Sequence, residues 1–262
     1  MNLDRARGLT GPGRARRAGA GIAVLAAVFV ATACTPDATS TTSATAGPVP
    51  DLQNAFVDTV RTVQPSVVEI QTSTGLGSGV IFDYAGDIVT NNHVVGTATT
   101  ISVLVNGSPL PGRLVGTYPA SDLAVISVNS PTPLTPAKFG PTSSVQVGDV
   151  VLAMGNPLGL QASTSEGIVS AIGRKVVEPS GDGTPGATLS HVIQTSAAIN
   201  PGNSGGALVD LAGEVIGIPT LTATDPQIGG TAPGIGFAIP AGTVTDVAQQ
   251  LIAHGRVTAP PT

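Results

Sequence analysis

An all-β fold is what this sequence predicts, and three observations lead to it. Apolar residues make up 41% of the 262-residue chain but aromatics only 3%, so a core has to be built from Val, Ile, Leu and Ala. Val and Ile favour pleated strands. The 34 glycines and 22 prolines punctuate the chain with turns. Two series of six short β-rich segments follow one another across a proline-rich connection. No helical pattern of ten or more residues intervenes between the strands, which argues against a parallel α/β sheet.

The elements are read in chain order. Arg5, Arg7, Arg14, Arg16 and Arg17 precede an uncharged apolar run, AGAGIAVLAAVFVATA (residues 18–33). That is the layout of a secretory signal, with an apolar stretch shorter than the roughly 20 residues a bilayer span needs. Residues 1–33 are therefore expected to be a signal peptide. Cys34 is the only cysteine, so no intramolecular disulfide can form. The segment ATAC before and including it resembles a bacterial lipobox, with Ala31 where Leu more often stands. This implies lipidation of Cys34 and an anchor on the extracytoplasmic face of a bacterial membrane, the alternative being secretion. Residues 34–50 are polar and proline-rich and read as a tether.

The domain is expected over 51–262. Leu52, Ala55, Phe56, Val60 and Val63 recur at helical spacing after an N-cap candidate, Asp51, and Pro65 stops the run. The first strand series, about 65–130, is SVVEIQT, GSGVIFD, DIVTNN, TISVLV, RLVGT and LAVISV. The second, about 145–240, is DVVLAMG, SEGIVSAIG, LSHVIQT, GALVD, EVIGIPT and GIGFAIP. Residues 241–254 return to helical period through Val244, Val247, Ala248, Leu251 and Ile252, a helix placed to cap a barrel. Val177 to Ser190 has the composition of an exposed loop. Asp83 and Asp87 flank a YAG turn and are expected to be solvated.

Charge excludes several functions. Of 16 acidic and 11 basic residues, Asp4 and the five arginines precede the apolar run, leaving 15 acids against 6 bases. With no basic stripe or aromatic cluster, no nucleic-acid partner is expected. Three dispersed histidines and one cysteine offer no metal-ligand spacing, so no metal and no cofactor is expected. GLGSG (75–79) is followed by the strand VIFD rather than a helix, so it reads as a tight turn and not a nucleotide loop. His191 and His254 have no motif around them and default to surface or structural roles.

The string GNSGG, Gly202 to Gly206, matches G-x-S-x-G. A nucleophile elbow would need a strand before the serine and a helix after it, and the flanking SAAINPG and ALVDLAGEVIGI supply neither. The order His93, Asp122, Ser204 fits the other arrangement, in which an imidazole activates the hydroxyl and a carboxylate holds the imidazole tautomer. Each of the three sits at the edge of a strand candidate. A lone histidine beside a strand is more often structural than catalytic, and the residues alone leave both readings open for His93.

TNNHVV, SDLAVI, GNPLGL, GIVSAIGR, AAINPGNSGGAL and GIGFAIP, in that order, resemble the protease domain of the HtrA/Deg family of trypsin-like serine proteases. The resemblance runs from about Leu52 to Gly255 and implies a chymotrypsin-like double six-stranded barrel. It implies a serine endopeptidase acting through an acyl-enzyme on unfolded or exposed protein segments. His93 would be general base, Asp122 its orienter and Ser204 nucleophile. The oxyanion hole would be the amides of Gly202 and Ser204, with Asn203 between them. The rival reading is a peptide-binding, chaperone-like lipoprotein that retains the barrels; an esterase on the same site is a third.

The same resemblance carries finer expectations. Asn203 stands where digestive relatives carry an Asp that pairs with a freed N-terminus, so activation by that ion pair is not expected. Pro201 is expected to restrict flipping of the peptide that carries the Gly202 N–H. Ala198, six residues before Ser204, would lie at the base of the S1 pocket, where trypsin relatives carry Asp. Without a carboxylate to pair with a cation, a small or medium aliphatic P1 residue is expected. Ile199, Gly236, Phe237 and Ala238 are the expected walls, with the backbone of the last three adding substrate as a strand. Ser196 replaces an Asp common in the family. The connection TSTGL is too short for a long regulatory loop, and no PDZ-type segment follows the last helix pattern. The family also implies a possible homotrimer.

Overall fold

The computed structural model describes residues 48–73, 75–156, 163–178, 187–200, 202–225 and 230–261. The signal segment, Cys34, most of the tether, Pro201 and the PLGL of GNPLGL lie outside the described residues. The first six strands are β1 (Val67–Thr72), β2 (Leu76–Ile81), β3 (Asp87–Thr90), β4 (Ile101–Val105), β5 (Ser108–Tyr118) and β6 (Leu123–Val128). They close into a barrel in the order β1-β2-β3-β6-β5-β4.

The remaining strands are β7 (Lys138–Phe139), β8 (Val150–Gly155), β9 (Ser163–Glu178), β10 (Ala187–Thr195), β11 (Ala207–Asp210), β12 (Glu214–Asp225) and β13 (Gly230–Pro240). Their order is β11-β8-β9-β10-β13-β12-β7, and a further β11–β12 pairing joins six of them into a second ring with the two-residue β7 outside it. The protein is therefore the all-β double barrel that the two strand series anticipate.

Two expectations about this region need correction. Val177–Ser190 is not a loop throughout: β9 continues to Glu178 and β10 starts at Ala187, pairing Glu178 with Ala187 and Val177 with Thr188. A hairpin extension needs only a backbone ladder, which polar and glycine-rich composition does not forbid. The opening helix, α1 (Pro48–Val63), starts three residues before Asp51, inside the expected tether. Its Phe56, Val60 and Val63 pack on the core, whereas Leu52 is 46% exposed.

The strands nearest the junction bury both faces. Val68 and Ile70 of β1, with Ala124 and Ile126 of β6, fill the first barrel, while Val67, Leu123 and Val125 point the other way. In the second barrel Val151 and Ala153 of β8 point inward, and Leu152 and Met154 join Val67, Val89 and Leu123 in a shared cluster between the barrels. Burial on both sides explains why VVEI, LAVI and VVLAM read as nearly continuous apolar runs rather than alternating ones. A short helix, α2 (Asn92–Val95), follows β3. The closing helix, α3 (Ala241–His254), adds Val244, Val247, Ala248 and Leu251 to the shared cluster. It ends at Gly255, whose φ of 68° and N–H bond to the Leu251 carbonyl terminate the last turn.

Asp87 is not solvated; it is 8% exposed. The Asp83 carboxylate accepts the N–H groups of Ala85 and Asp87, closing the YAG turn and turning Asp87 inward at the start of β3. Burial, and then the neighbouring Asp83 charge, raise the Asp87 pKa above its ordinary 3.8, against the pull of Ser127 and Arg113. The folded protein thus holds this proton more tightly than the unfolded chain. The group's stabilising contribution is complete below 3.8 and is lost as pH rises through the elevated value. Asp87→Asn is expected to raise Tm near pH 7, with the gain shrinking as melts are taken towards pH ~3. A gain that does not change with pH would refute this.

Candidate active site

Asp122 ends the 3-10 turn Pro119–Ser121 in the left-handed region, φ 49°, ψ 45°, a conformation that Asp tolerates better than most residues. This kink directs the side chain from the head of β6 towards α2. Its carbonyl accepts the Asn91 side-chain amide at 3.0 Å and the Asn92 N–H at 3.1 Å. Its carboxylate, with the residue 1% exposed, accepts the His93 backbone N–H on Oδ1 at 2.9 Å and faces His93 Nδ1 from Oδ2 at 2.8 Å. With an acid acceptor opposite it, Nδ1 carries the ring proton, which leaves the Nε2 lone pair available as a base.

A third donor to this carboxylate comes from the second barrel. Thr220 Oγ1 donates to Asp122 Oδ2 at 2.5 Å, and Thr220 is 4% exposed. The β12–β13 register shifts between Pro219 and Leu221, so Thr220 is the bulged residue, and the bulge aims it at Asp122. A threonine inside the strand EVIGIPT carries no signal that separates it from other β-branched residues, and sequence reasoning missed it.

Ser204 lies in a tight turn just before β11, half-buried. Its carbonyl accepts the Ser78 N–H of β2 at 2.9 Å. Gly205, at φ 79°, packs so closely that a Cβ there would lie 2.3 Å from the Ser78 carbonyl oxygen, 2.4 Å from Thr90 Oγ1 and 3.2 Å from the Asn91 N. Only glycine meets both demands, and the result seats the serine turn against the residues leading into α2 and His93. The turn commits the N–H groups of Asn203, Gly205 and Gly206 to the carbonyls of Asn200, Pro219 and Asn203. Among the described residues no acceptor takes the N–H of Gly202 or of Ser204. Asn203, 6% exposed, binds its own loop: Oδ1 accepts the Asn200 N–H and Nδ2 donates to the Ala198 carbonyl, both at 3.0 Å.

The expected pocket residues divide. Ile199 (6% exposed) and Ala238 share the second-barrel core, and a Cβ at Gly236 would lie 2.4 Å from Ile199 Cγ1. Phe237 points to the opposite face and packs with Leu189 and Val192. The Ala198 side chain is exposed, and its carbonyl also accepts Ser165 Oγ. The expectation that Gly236–Ala238 adds substrate as a strand is corrected by the topology. These residues pair with Ile193–Thr195 of β10 on one side and with Pro219–Thr222 of β12 on the other, so their backbone is an interior strand with no free edge. The open edge is on β12: its β11 and β7 pairings end by Gly217, and among the described residues Thr220–Asp225 has β13 as its only ladder partner. The Ser196 hydroxyl, in place of an Asp, accepts the Ile168 N–H at 3.0 Å.

A double barrel that pairs an imidazole with a buried carboxylate and presents a serine turn beside them defines the class of trypsin-like peptidase domains. The family model described as the trypsin-like peptidase domain matches residues 77–218. Periplasmic serine endoprotease DegP of Escherichia coli (strain K12) is 46% identical over 190 residues, covering 71% of this chain and 38% of that protein. Serine endoprotease DegS of the same strain is 41% identical over 209 residues, covering 79% of this chain and 56% of that one. The solved structure of the HtrA-type protease AlgW with tripeptide superposes with a TM-score of 0.68 at 41% identity, over 77% of this chain and 65% of that one. The chain belongs to the trypsin-like peptidase family and is similar to HtrA-type proteases of that family. It spans about 38% and 56% of the lengths of DegP and DegS.

Proposed function

We propose that the protein is a serine endopeptidase in which Ser204 attacks the scissile carbonyl, His93 takes the hydroxyl proton and Asp122 holds the imidazole. The observation that carries this reading is the His93–Asp122 pair, fixed by two bonds from the same histidine to one carboxylate. The amides of Gly202 and Ser204 serve as the oxyanion hole, where one such donor contributes about 3 to 4 kcal/mol in the transition state. The His93 imidazolium then protonates the leaving amine, and water hydrolyses the acyl-enzyme by the reverse route. Asn203 bonding within its own loop fits a turn that needs no freed N-terminus to hold its shape.

Substrate is a protein or peptide in extended form, added to the open edge of β12 from Thr220 rather than to β13. Pairing through the backbone suits unfolded or exposed segments, because a folded substrate has no strand to offer. The S1 base near Ala198 carries no charge, and Ile199 fills the space beside Gly236. Small or medium aliphatic P1 residues fit this best. Export, a lipid anchor at Cys34 and a trimeric state belong to the same proposal.

Unfolded casein and a fluorogenic peptide panel varied at P1 test it. Casein is expected to be cut, and the panel to run fastest after Val, Ala or another aliphatic residue. Turnover of small esters with casein left intact would point to an esterase. Binding of casein without cleavage would favour the chaperone-like reading, and fastest cleavage after Arg would overturn the P1 assignment.

A further inference from the structure

We propose that Ser78 is a positioning residue for the oxyanion-binding turn, acting through the peptide group between Gly202 and Asn203; this rests on the protease reading above. Ser78 is 0% exposed and sits in β2, on the first barrel, while the turn it touches belongs to the second. Every polar group it has is committed. Its N–H donates to the Ser204 carbonyl at 2.9 Å, and its carbonyl accepts Thr90 Oγ1 at 2.7 Å. Its hydroxyl donates to the Gly202 carbonyl at 2.5 Å and accepts the Asn156 N–H at 2.8 Å. A serine hydroxyl has a single hydrogen, so with an N–H on one side and a C=O on the other the relay has one direction, Asn156 to Ser78 to Gly202.

The held carbonyl matters because of where it lies. The Gly202–Asn203 peptide lies between the two amides of the hole, the N–H of Gly202 before it and the N–H of Ser204 after it, and Gly202 has no side chain and a φ of 106°. The rotation of that glycine is restrained by what its carbonyl and the following N–H bind. The N–H is held by the Asn200 carbonyl at 3.1 Å, and the carbonyl by Ser78. Space explains Gly77 and Gly79, where a Cβ would fall 2.6 Å from Val94 and 2.7 Å from Ile88. Space does not explain Ser78, since alanine would fill the same volume without the oxygen, leaving the Gly202 carbonyl and the Asn156 N–H unpartnered in the interior.

Ser78→Ala is the test, with kcat and KM measured separately on a fluorogenic peptide and amide exchange followed by mass spectrometry over residues 197–206. The expected result is a kcat lower by about 10-fold or more, less than the loss from deleting a hole donor outright. KM should stay within about two-fold, because uniform binding is untouched. Exchange should quicken in the turn and not in β1, β4 or β6. An unchanged kcat with unchanged exchange would overturn the proposal, as would a general loss of protection with kcat and KM shifting together. If the alanine variant fails to fold, Ser78→Cys carries the same measurements, with a weak donor retained and a smaller fall expected. A wild-type protein that cleaves nothing sinks the protease reading instead, and the exchange comparison alone then decides the role of Ser78.

Discussion

Ser204→Ala is expected to lower kcat on a peptide substrate by roughly 10⁶-fold and to abolish labelling by a fluorophosphonate, while leaving Tm unchanged. The bonds that hold the turn are made by other groups: the Ser204 carbonyl accepts the Ser78 N–H, the Gly205 N–H donates to Pro219, and the side chains of Ser78 and Asn203 hold the Gly202 carbonyl and the loop before it. Removing one oxygen therefore removes the proposed nucleophile and spares its scaffold. The residue left behind is informative too. If the Gly202 and Ser204 amides still bind the developing oxyanion of a water-attacked peptide, the variant should retain about 10³ to 10⁴-fold acceleration over water. Kinetics and labelling measured on the same folded preparation check both parts, and wild-type levels of labelling in the variant would remove Ser204 from the chemistry.

Asp122→Asn should cost about 10⁴-fold in kcat with the fold retained. The geometry dictates why. The His93 backbone N–H requires an acceptor at the Oδ1 position, so an asparagine keeps its oxygen there and turns its NH₂ to His93 Nδ1. That donor can be met only by the unprotonated Nδ1, which moves the ring proton to Nε2 and removes the lone pair that a base needs. Rotating the amide the other way sets NH₂ against the His93 N–H and is no better. Thr220 Oγ1 loses its charged acceptor in the first arrangement and must rotate to accept instead. A loss of less than about 10-fold, with normal Tm, would mean that another group orients the imidazole.

Much of this was legible in the residues, and particular elements show where legibility stopped. SVVEIQT and LAVISV read as strands because runs of Val and Ile bounded by turn residues have few other uses. Glu69 lies in the first of them, a charged residue among apolar ones. The structure buries it completely, with Oε1 accepting Gln71 Nε2 at 2.6 Å. The second face of β1 packs towards the other barrel, and no one-strand pattern records that. Asp87 departs from its expected exposure for a local reason: its neighbour Asp83 caps the turn and so turns Asp87 inward. Thr220 and Ser78 were invisible because their partners, Asp122 and Gly202, lie 98 and 124 residues away.

Local sequence was enough for the all-β class and for twelve of the thirteen described strands, β7 in the proline-rich connection being the exception, and it offered His93, Asp122 and Ser204 as candidates. Those follow from local properties: side-chain branching, turn chemistry and the presence of an imidazole, a carboxylate and a hydroxyl. Tertiary structure alone decided which strand edge is open, which faces are buried twice and which side chains cross from one barrel to the other. Pairing between distant segments is responsible. β13 is interior because β10 and β12 take its two edges, the β11 pairing ends at Gly217 and leaves Thr220–Asp225 of β12 with an open side, and seating the barrels together brings Thr220 to Asp122 and Ser78 to the serine turn.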